Sequence, residues 1–168
     1  MFTRKYILPL FASLLFFSAC DSSKQPPAGS AQAAPYDLVQ AGREINEANE
    51  QFITLFNNGD STGLADMFTT DGKSLEPNVP AYSGKEAIRH HYALTMNNGA
   101  NKLSLTTTGL WGDEKLLAEE GKFAIKNKKG VMMDEGKYIV LWKKTDGQWK
   151  LFRDIFNSDW PVPAPDKP

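Results

Sequence analysis

Two carboxylates can do acid–base chemistry if folding buries them. Glu76 comes directly before Pro77, and Asp154 lies within the segment RDIFNSD near the end of the chain. When folding buries a carboxylate among apolar side chains, its pKa rises and it can accept and return a proton. Glu76 and Asp154 are therefore the candidate general bases. The sequence shows no set of nucleophile, base and orienting residue around them, so whether the protein is an enzyme stays open.

Two pairs of adjacent polar residues are further candidates. Glu119 and Glu120 lie in a strand-like segment, so one of the two is expected to face the interior and the other is not. His90 and His91 lie on a predicted helix, about 100° apart, and cannot easily share one metal ion. The sequence has no Cys/His cluster with zinc spacing, no calcium loop and no glycine-rich phosphate loop. We therefore expect no metal and no cofactor.

Helices are predicted for most of the first half of the chain, and they must position the candidate residues found there. Apolar residues recur at steps of three and four before residue 57, which predicts an amphipathic helix. Gly59 supplies the left-handed cap that ends it, and Asp60 can cap a short second helix. A third helix is predicted to open with a capping box formed by Ser83 and Glu86 and to end near Gly99. The apolar positions of the first helix are Ile45, Ala48, Phe52, Leu55 and Phe56.

Strands are predicted for the second half of the chain, and they must position the candidate residues found there. After Gly99 the apolar pattern changes to period two with turn residues between the segments. A turn and a short strand are predicted earlier, over 69–77. Helices first and an antiparallel meander afterwards predict an α+β domain whose helices cover one face of a curved sheet. The four later strands are Leu103 to Trp111, Lys115 to Ile125, Val131 to Lys144 and Gln148 to Ser158.

The single cysteine, Cys20, ends an apolar run near the start of the chain. Arg4 and Lys5 precede this run, which is shorter than the roughly 20 residues that cross a bilayer, and Ser18 and Ala19 follow it. The arrangement resembles the bacterial lipoprotein signal, in which the cysteine is acylated and the peptide is cut before it. An ordinary signal peptide that leaves a free thiol is the alternative.

The lipoprotein interpretation divides the chain into four parts. Residues 1–19 are the signal peptide, 20–35 a lipidated flexible tether, 36–160 one domain and 161–168 a proline-rich tail. The protein is expected in the bacterial cell envelope, facing the periplasm or the exterior. Asp21 resembles the inner-membrane retention signal of enteric bacteria. The formal net charge is −1, so nucleic acid is not an expected partner.

Three stretches and the order of the elements resemble the nuclear-transport-factor-2-like superfamily, which includes ketosteroid isomerase and SnoaL-like cyclases. The resemblance implies a cone of about three N-terminal helices packed on a curved, mostly antiparallel sheet. Members perform different functions in the same cavity and often form homodimers through the outer face of the sheet, so a homodimer is expected. The stretches are FNNGDSTGLADMFTTDGKSLEP, YSGKEAIRHHY and GKYIVLWKKTDGQWKLFRDIFNSD.

The resemblance to ketosteroid isomerase extends to one catalytic position but not to the others. Glu76 matches the general base of that enzyme, and Tyr92 matches a supporting tyrosine. The oxyanion donors of the isomerase correspond to Phe52 and to a position near Val140, where this chain offers no donor. Such donors each contribute several kcal/mol to enolate stabilisation, so steroid-type isomerisation is not expected.

The cone implies a set of cavity residues. Family comparison favours Glu119 pointing inward, and His91 shares a predicted helix face with Ile88 and Tyr92. An alternative for Asp154 and Asn157 is that they hold the end of the sheet by bonding to backbone. The tryptophans and Tyr138 can instead belong to the sheet core or a dimer face. The expected ligand-binding set is Glu76, His91, Tyr92, Glu119, Trp142, Asp154 and Asn157.

Three functions follow from these observations. The first is a membrane-anchored module that binds a small, partly apolar molecule in the cone. The second is an enzyme of isomerase, lyase or hydrolase type with Glu76 or Asp154 as general base. The third is a structural dimerisation or envelope-assembly module without a ligand.

Overall fold

A computed structural model describes residues 36–161. The predicted signal peptide, the site of Cys20, the tether and all but the first residue of the tail lie outside these residues. Three helices and six strands follow one another in the order α, α, β, β, α and four further strands. They are α1 (Leu38–Asn57), α2 (Ser61–Asp66), β1 (Phe68–Leu75), β2 (Tyr82–Ser83), α3 (Lys85–Asn97), β3 (Lys102–Gly112), β4 (Leu116–Lys126), β5 (Met132–Thr145) and β6 (Gln148–Ser158).

All six strands form one sheet in the order β2-β1-β6-β5-β4-β3. Every neighbouring pair is antiparallel except β1 and β6, which run parallel. The predicted α+β class and mostly antiparallel sheet are confirmed. Register shifts between Thr107 and Gly109 in β3, and opposite Leu141 and Trp142 in β6, mark bulges, which bend strands.

The ends of the first two helices agree with the sequence patterns. The Asp37 carboxylate caps α1 by accepting from the amides of Val39 and Gln40. Gly59 has a φ of 76° directly after α1, the left-handed conformation in which glycine carries no steric penalty. Asp60 caps α2 by accepting from the Gly63 amide at 2.8 Å.

The predicted capping box at the start of α3 is wrong. Ser83 lies in β2, where it pairs with Lys73 of β1, so its position belongs to the sheet. The N-cap residue is Gly84, which has a φ of 81° and provides no side-chain cap. Glu86 instead forms an ion pair with Arg89 on the surface of the helix. The strand pairing overrode the local helix signal.

The four meander strands begin and end within one residue of their predicted bounds. The residues of β5 show which face of the sheet packs on the helices: Tyr138, Val140 and Trp142 are buried, whereas Ile139 is exposed. The outer face also exposes Ile155, which pairs with Ile139 in the register of β5 and β6. The homodimer expected through this face stays a prediction.

Candidate functional site

A cavity of about 120 Å³ lies between α1, α3 and the inner face of the sheet. Most of its wall is apolar, and its polar groups come from α3, from the residue that follows β1, from α1 and from two strands. Its aromatic lining residues are Phe52, Phe56, Tyr92, Phe123, Tyr138 and Phe156.

One polar pair in the cavity joins α3 to the end of β1. The imidazole Nε2 of His91 contacts the Oε1 of Glu76, and both side chains are largely buried. The ring of His91 stacks on Tyr82, with ring centroids 4.3 Å apart. The Thr95 hydroxyl, one turn later, donates to the His91 carbonyl at 3.1 Å. The stacking on Tyr82 and the contact with Glu76 orient the imidazole against the carboxylate.

A second polar pair joins α3 to β6. The Tyr92 hydroxyl donates to Oδ2 of Asp154 at 3.3 Å. Burial raises the pKa of Asp154 to about 7; the charges of Glu76 and Glu119 act in the same direction, and the bond from Tyr92 acts against them. Burial also raises the pKa of Tyr92 well above its ordinary value, with the charge of Asp154 adding to the effect. The phenol therefore stays protonated and remains a donor.

Parallel pairing of β1 and β6 places Ser74 beside Asp154. The Ser74 side chain is completely buried, and its hydroxyl finds no hydrogen-bond partner within residues 36–161. A buried hydroxyl without a partner is uncommon in folded proteins. It lies near Tyr92, since it influences the pKa of that phenol. Ser74 does not line the cavity.

Glu119 is completely buried and accepts four hydrogen bonds. Its Oε1 accepts from Asn49 at 2.7 Å, Thr107 at 2.7 Å and Tyr138 at 2.8 Å, and its Oε2 accepts from the Trp142 indole at 2.8 Å. Burial, followed by the charge of Glu119, raises the pKa of Tyr138 far above its ordinary value. A carboxylate with this many donors is held in one position, and it ties α1 to three strands.

The model of the SnoaL-like domain family matches residues 49–152, which is more than half of the chain. The chain belongs to the SnoaL-like domain family. No curated protein matches the sequence.

Solved structures with the same fold come from several bacteria. A protein of unknown function with a cystatin-like fold from Nostoc punctiforme is 16% identical, with a TM-score of 0.66 over 77% of this chain and 98% of that one. A protein of unknown function from Mycobacterium tuberculosis is 20% identical, with a TM-score of 0.65 over 74% of this chain and 75% of that one. A ketosteroid isomerase-like protein from Erwinia carotovora atroseptica is 21% identical, with a TM-score of 0.59 over 71% and 96%. At these identities the likeness shows the fold alone.

Within this SnoaL-like domain, the structure brings together four of the predicted site residues. Glu76, His91, Tyr92 and Asp154 all line the cavity. Glu119 points inward as expected, and its neighbour Glu120 is exposed. Glu119, however, is enclosed by its four donors and does not line the cavity. That these residues bind a ligand stays a prediction.

Two predicted ligand-binding residues do not lie at the cavity. Trp142 is 1% exposed and belongs to the core, where its indole N–H is engaged by Glu119. Asn157 lies on β6 three residues after Asp154, and an odd separation along a strand places it on the opposite, exposed face. The structure therefore places Trp142 in the core and Asn157 on the outer face, and neither lines the cavity.

Asn49 and Thr107 were missed by the sequence reasoning. Asn49 lines the cavity, and both residues hold Glu119. A signal for Asn49 was available, because it follows Ile45 by four positions and so lies on the buried face of α1. A polar residue on such a face needs a buried partner. Thr107 gave no signal, since its partner lies on another strand.

The positions compared with ketosteroid isomerase also line the cavity of this SnoaL-like domain. Phe52 and Val140 both contribute to its wall, and neither has a proton to donate. Val140 pairs with Asp154 in the register of β5 and β6. A carboxyl therefore lies on the strand adjacent to Val140.

In the range 36–161, no three His, Cys, Asp or Glu side chains are grouped so that they could hold a metal ion. Nor does any helix in that range have the length and apolar character needed to span a bilayer.

Proposed function

We propose that the cone of this SnoaL-like domain binds a small, largely apolar molecule. The observation that carries the proposal is the composition of the cavity. Its wall is mainly aromatic and aliphatic, and its two polar pairs, Glu76 with His91 and Tyr92 with Asp154, converge on it. Apolar walls supply binding free energy through burial, and a few polar groups fix the orientation of the ligand.

The binding proposal predicts that a molecule co-purifies with the protein and depends on the cavity. Val140→Phe adds an aromatic ring at a buried lining position and fills part of the cavity. The amount of bound molecule is expected to fall by about tenfold or more, because displaced contacts and steric overlap both weaken binding. The measurement is mass spectrometry of an organic extract from the purified full chain.

Val131→Phe is the matched control, because Val131 is 58% exposed and lies in the turn before β5. Its extract is expected to equal that of the wild type. An extract of the wild type without any specific small molecule, or one that Val140→Phe leaves unchanged, would contradict the binding proposal.

A second candidate is proton transfer on the bound molecule, with Asp154 as the base. The pKa of about 7 supports it, because such a carboxyl is present in both protonation states at neutral pH. The same extracts separate the candidates. A catalyst releases two interconverted forms of one molecule, and Asp154→Asn releases only one of them. A binding module releases a single form from both proteins.

We further propose that the protein is anchored in the bacterial envelope through a lipid on Cys20. One acyl chain gives weak, reversible binding, whereas the several chains of a lipoprotein anchor stably. Cys20→Ser is therefore expected to move the protein from the membrane pellet to the soluble fraction and to abolish incorporation of labelled palmitate.

Cell fractionation with immunodetection measures the distribution between membrane and soluble fractions. Density-gradient separation of the envelope tests the inner-membrane location that Asp21 favours. Unchanged membrane association of Cys20→Ser would rule out the lipid anchor.

A further inference from the structure

We propose that the ligand of the cone carries a cationic amine on an apolar body. This inference rests on the proposed binding function and specifies the chemical class of the ligand. It follows from the hydrogen-bonding capacity and the charges that the protein leaves facing the cavity.

The hydroxyl donors around the cavity are already engaged by protein acceptors. Tyr92 donates to Asp154, Tyr138 donates to Glu119, and Thr95 donates to the backbone carbonyl of its own helix. A phenol or alcohol has one proton to give, so none of the three can also donate to a ligand.

Several hydrogen-bond acceptors that line the cavity, in contrast, have no donor within the range that the structure describes. Oδ1 of Asp154, Oε2 of Glu76 and Oδ1 of Asn49 accept no hydrogen bond from the described part of the chain, and all three residues line the cavity. When Asp154 is ionised, a ligand that satisfies these acceptors must bring donors, and an ammonium group has up to three.

The charges favour a cation as well. Glu76 and Asp154 line the cavity and Glu119 lies directly behind it, whereas the only basic group lining it, within residues 36–161, is the imidazole of His91. After burial, the charges of Glu76 and Glu119 raise the pKa of Asp154 and the charge of His91 lowers it. Two carboxylates against one imidazole leave a local potential that opposes additional negative charge. An anionic ligand would meet this potential without a Lys or Arg to pair with.

The aromatic walls of the cavity suit the apolar body of such an amine. Six aromatic rings line the cavity, and Phe52 and Phe56 both pack edge-to-face against Tyr92. Aromatic faces attract cations as well as apolar groups. A compact aryl or alkyl amine therefore matches both parts of the cavity.

The test compares three probes that differ only in their polar group: 2-phenylethylamine, 2-phenylethanol and phenylacetate. Each is titrated by isothermal calorimetry into the full chain held in phosphatidylcholine nanodiscs, with empty nanodiscs as the blank. At pH 8 the amine is expected to bind at least about tenfold more tightly than the alcohol, and phenylacetate is expected not to bind.

Asp154→Asn tests the assigned carboxylate. It is expected to weaken the amine about tenfold and to change the affinity of the alcohol less than about twofold. Asp146→Asn is the control, because Asp146 is exposed in the turn between β5 and β6. In the wild type, lowering the pH from 8 to 6 protonates Asp154 and should weaken the amine by about tenfold.

Several titratable groups face Asp154 from the elements around it. The Asp154→Asn variant separates their effects on the pH dependence of amine binding from the effect of Asp154. They are His91 and Tyr92 on α3, Glu76 after β1, Glu119 on β4 and Tyr138 on β5. Loss of the pH dependence in Asp154→Asn supports the assignment to Asp154, and its full retention contradicts it.

The outcomes distinguish this inference from the proposed function. Equal affinity of amine and alcohol, or tightest binding of phenylacetate, overturns the cationic ligand and leaves the binding function standing. Failure of all three probes to bind also overturns the cationic ligand, and the extract of the purified chain then decides separately on the binding function.

Discussion

Replacing Glu119 by leucine is expected to lower the free energy of unfolding by about 3–5 kcal/mol. Leucine keeps most of the volume but removes both acceptor oxygens from a completely buried position. The hydroxyls of Thr107 and Tyr138 can turn to other partners. The amide of Asn49 and the indole N–H of Trp142 are harder to satisfy, because neither N–H group can become an acceptor. Each unpaired buried donor costs about 1–3 kcal/mol.

Urea unfolding followed by tryptophan fluorescence measures this loss, and two variants control it. Glu119→Gln retains one oxygen and is expected to lose clearly less than leucine. Glu120→Leu makes the same change on the adjacent, exposed residue and should alter stability by about 0.5 kcal/mol or less. A loss below about 1 kcal/mol in Glu119→Leu would show that the four bonds do not hold the fold together.

The second large effect concerns Asp154 and pH. Its pKa is about 7 in the folded protein against an ordinary value of 3.8, so between these values the folded state binds a proton that the unfolded state does not. Stability therefore falls as the pH rises, by up to about 1.4 kcal/mol per pH unit, and levels off above pH 7. Between pH 5 and pH 8 this group alone is expected to remove about 2–3 kcal/mol.

Asp154→Asn replaces the carboxyl by a neutral group of the same shape. The variant is expected to lose most of this slope and to be more stable than the wild type at pH 8 by about 2 kcal/mol. Unfolding in urea at several pH values measures both effects, with Asp146→Asn as the control that keeps the slope. A variant with the slope of the wild type would mean that Asp154 is ionised throughout.

Surface carboxylates do not obscure this measurement. Their pKa values are lowered by hydrogen bonds, most of them to basic side chains or backbone amides, so their contribution to stability is lost only at pH values below their ordinary range. They are Glu44, Asp66, Asp71, Glu86 and Asp113. The window from pH 5 to pH 8 therefore reports mainly on the interior.

A carboxyl that destabilises the fold at neutral pH indicates a functional constraint. An asparagine at position 154 would keep an acceptor for the Tyr92 hydroxyl and would have no charge to bury. Perturbed carboxyls concentrate at binding and catalytic sites. The expected gain in stability of Asp154→Asn and its expected loss of amine binding are two consequences of this one charge.

The sequence predicted the elements well where one periodicity ran without interruption. The strand Gln148 to Ser158 was predicted at its observed bounds. The first helix was predicted to stop at Asn57-Asn58-Gly59, and its last residue is Asn57. The prediction failed at Ser83, because pairing with a strand ten residues earlier is not visible in a local helix signal. Tertiary context decided that boundary.

For the candidate site, the sequence could predict on which face of a helix a residue lies. It could not predict the contacts that join residues of different elements. His91 and Tyr92 were found because a helical face is readable from sequence. Asn157 lies on the opposite face of β6 from Asp154, which strand parity applied to their separation would have indicated. The Asn49 contact with Glu119 spans 70 positions of the chain, and no local pattern reports a partner at that distance.

We expect the parallel pairing of β1 with β6 to set when the site forms during folding. The strands β3 to β6 are joined by short turns, so we expect their local pairings to form early. The strand β1 is separated from β6 along the chain by α3 and three strands of the meander, so we expect its pairing to form late. A chain with a finished meander but an undocked β1 would thus lack the site, and the ligand would stabilise only the last step of folding.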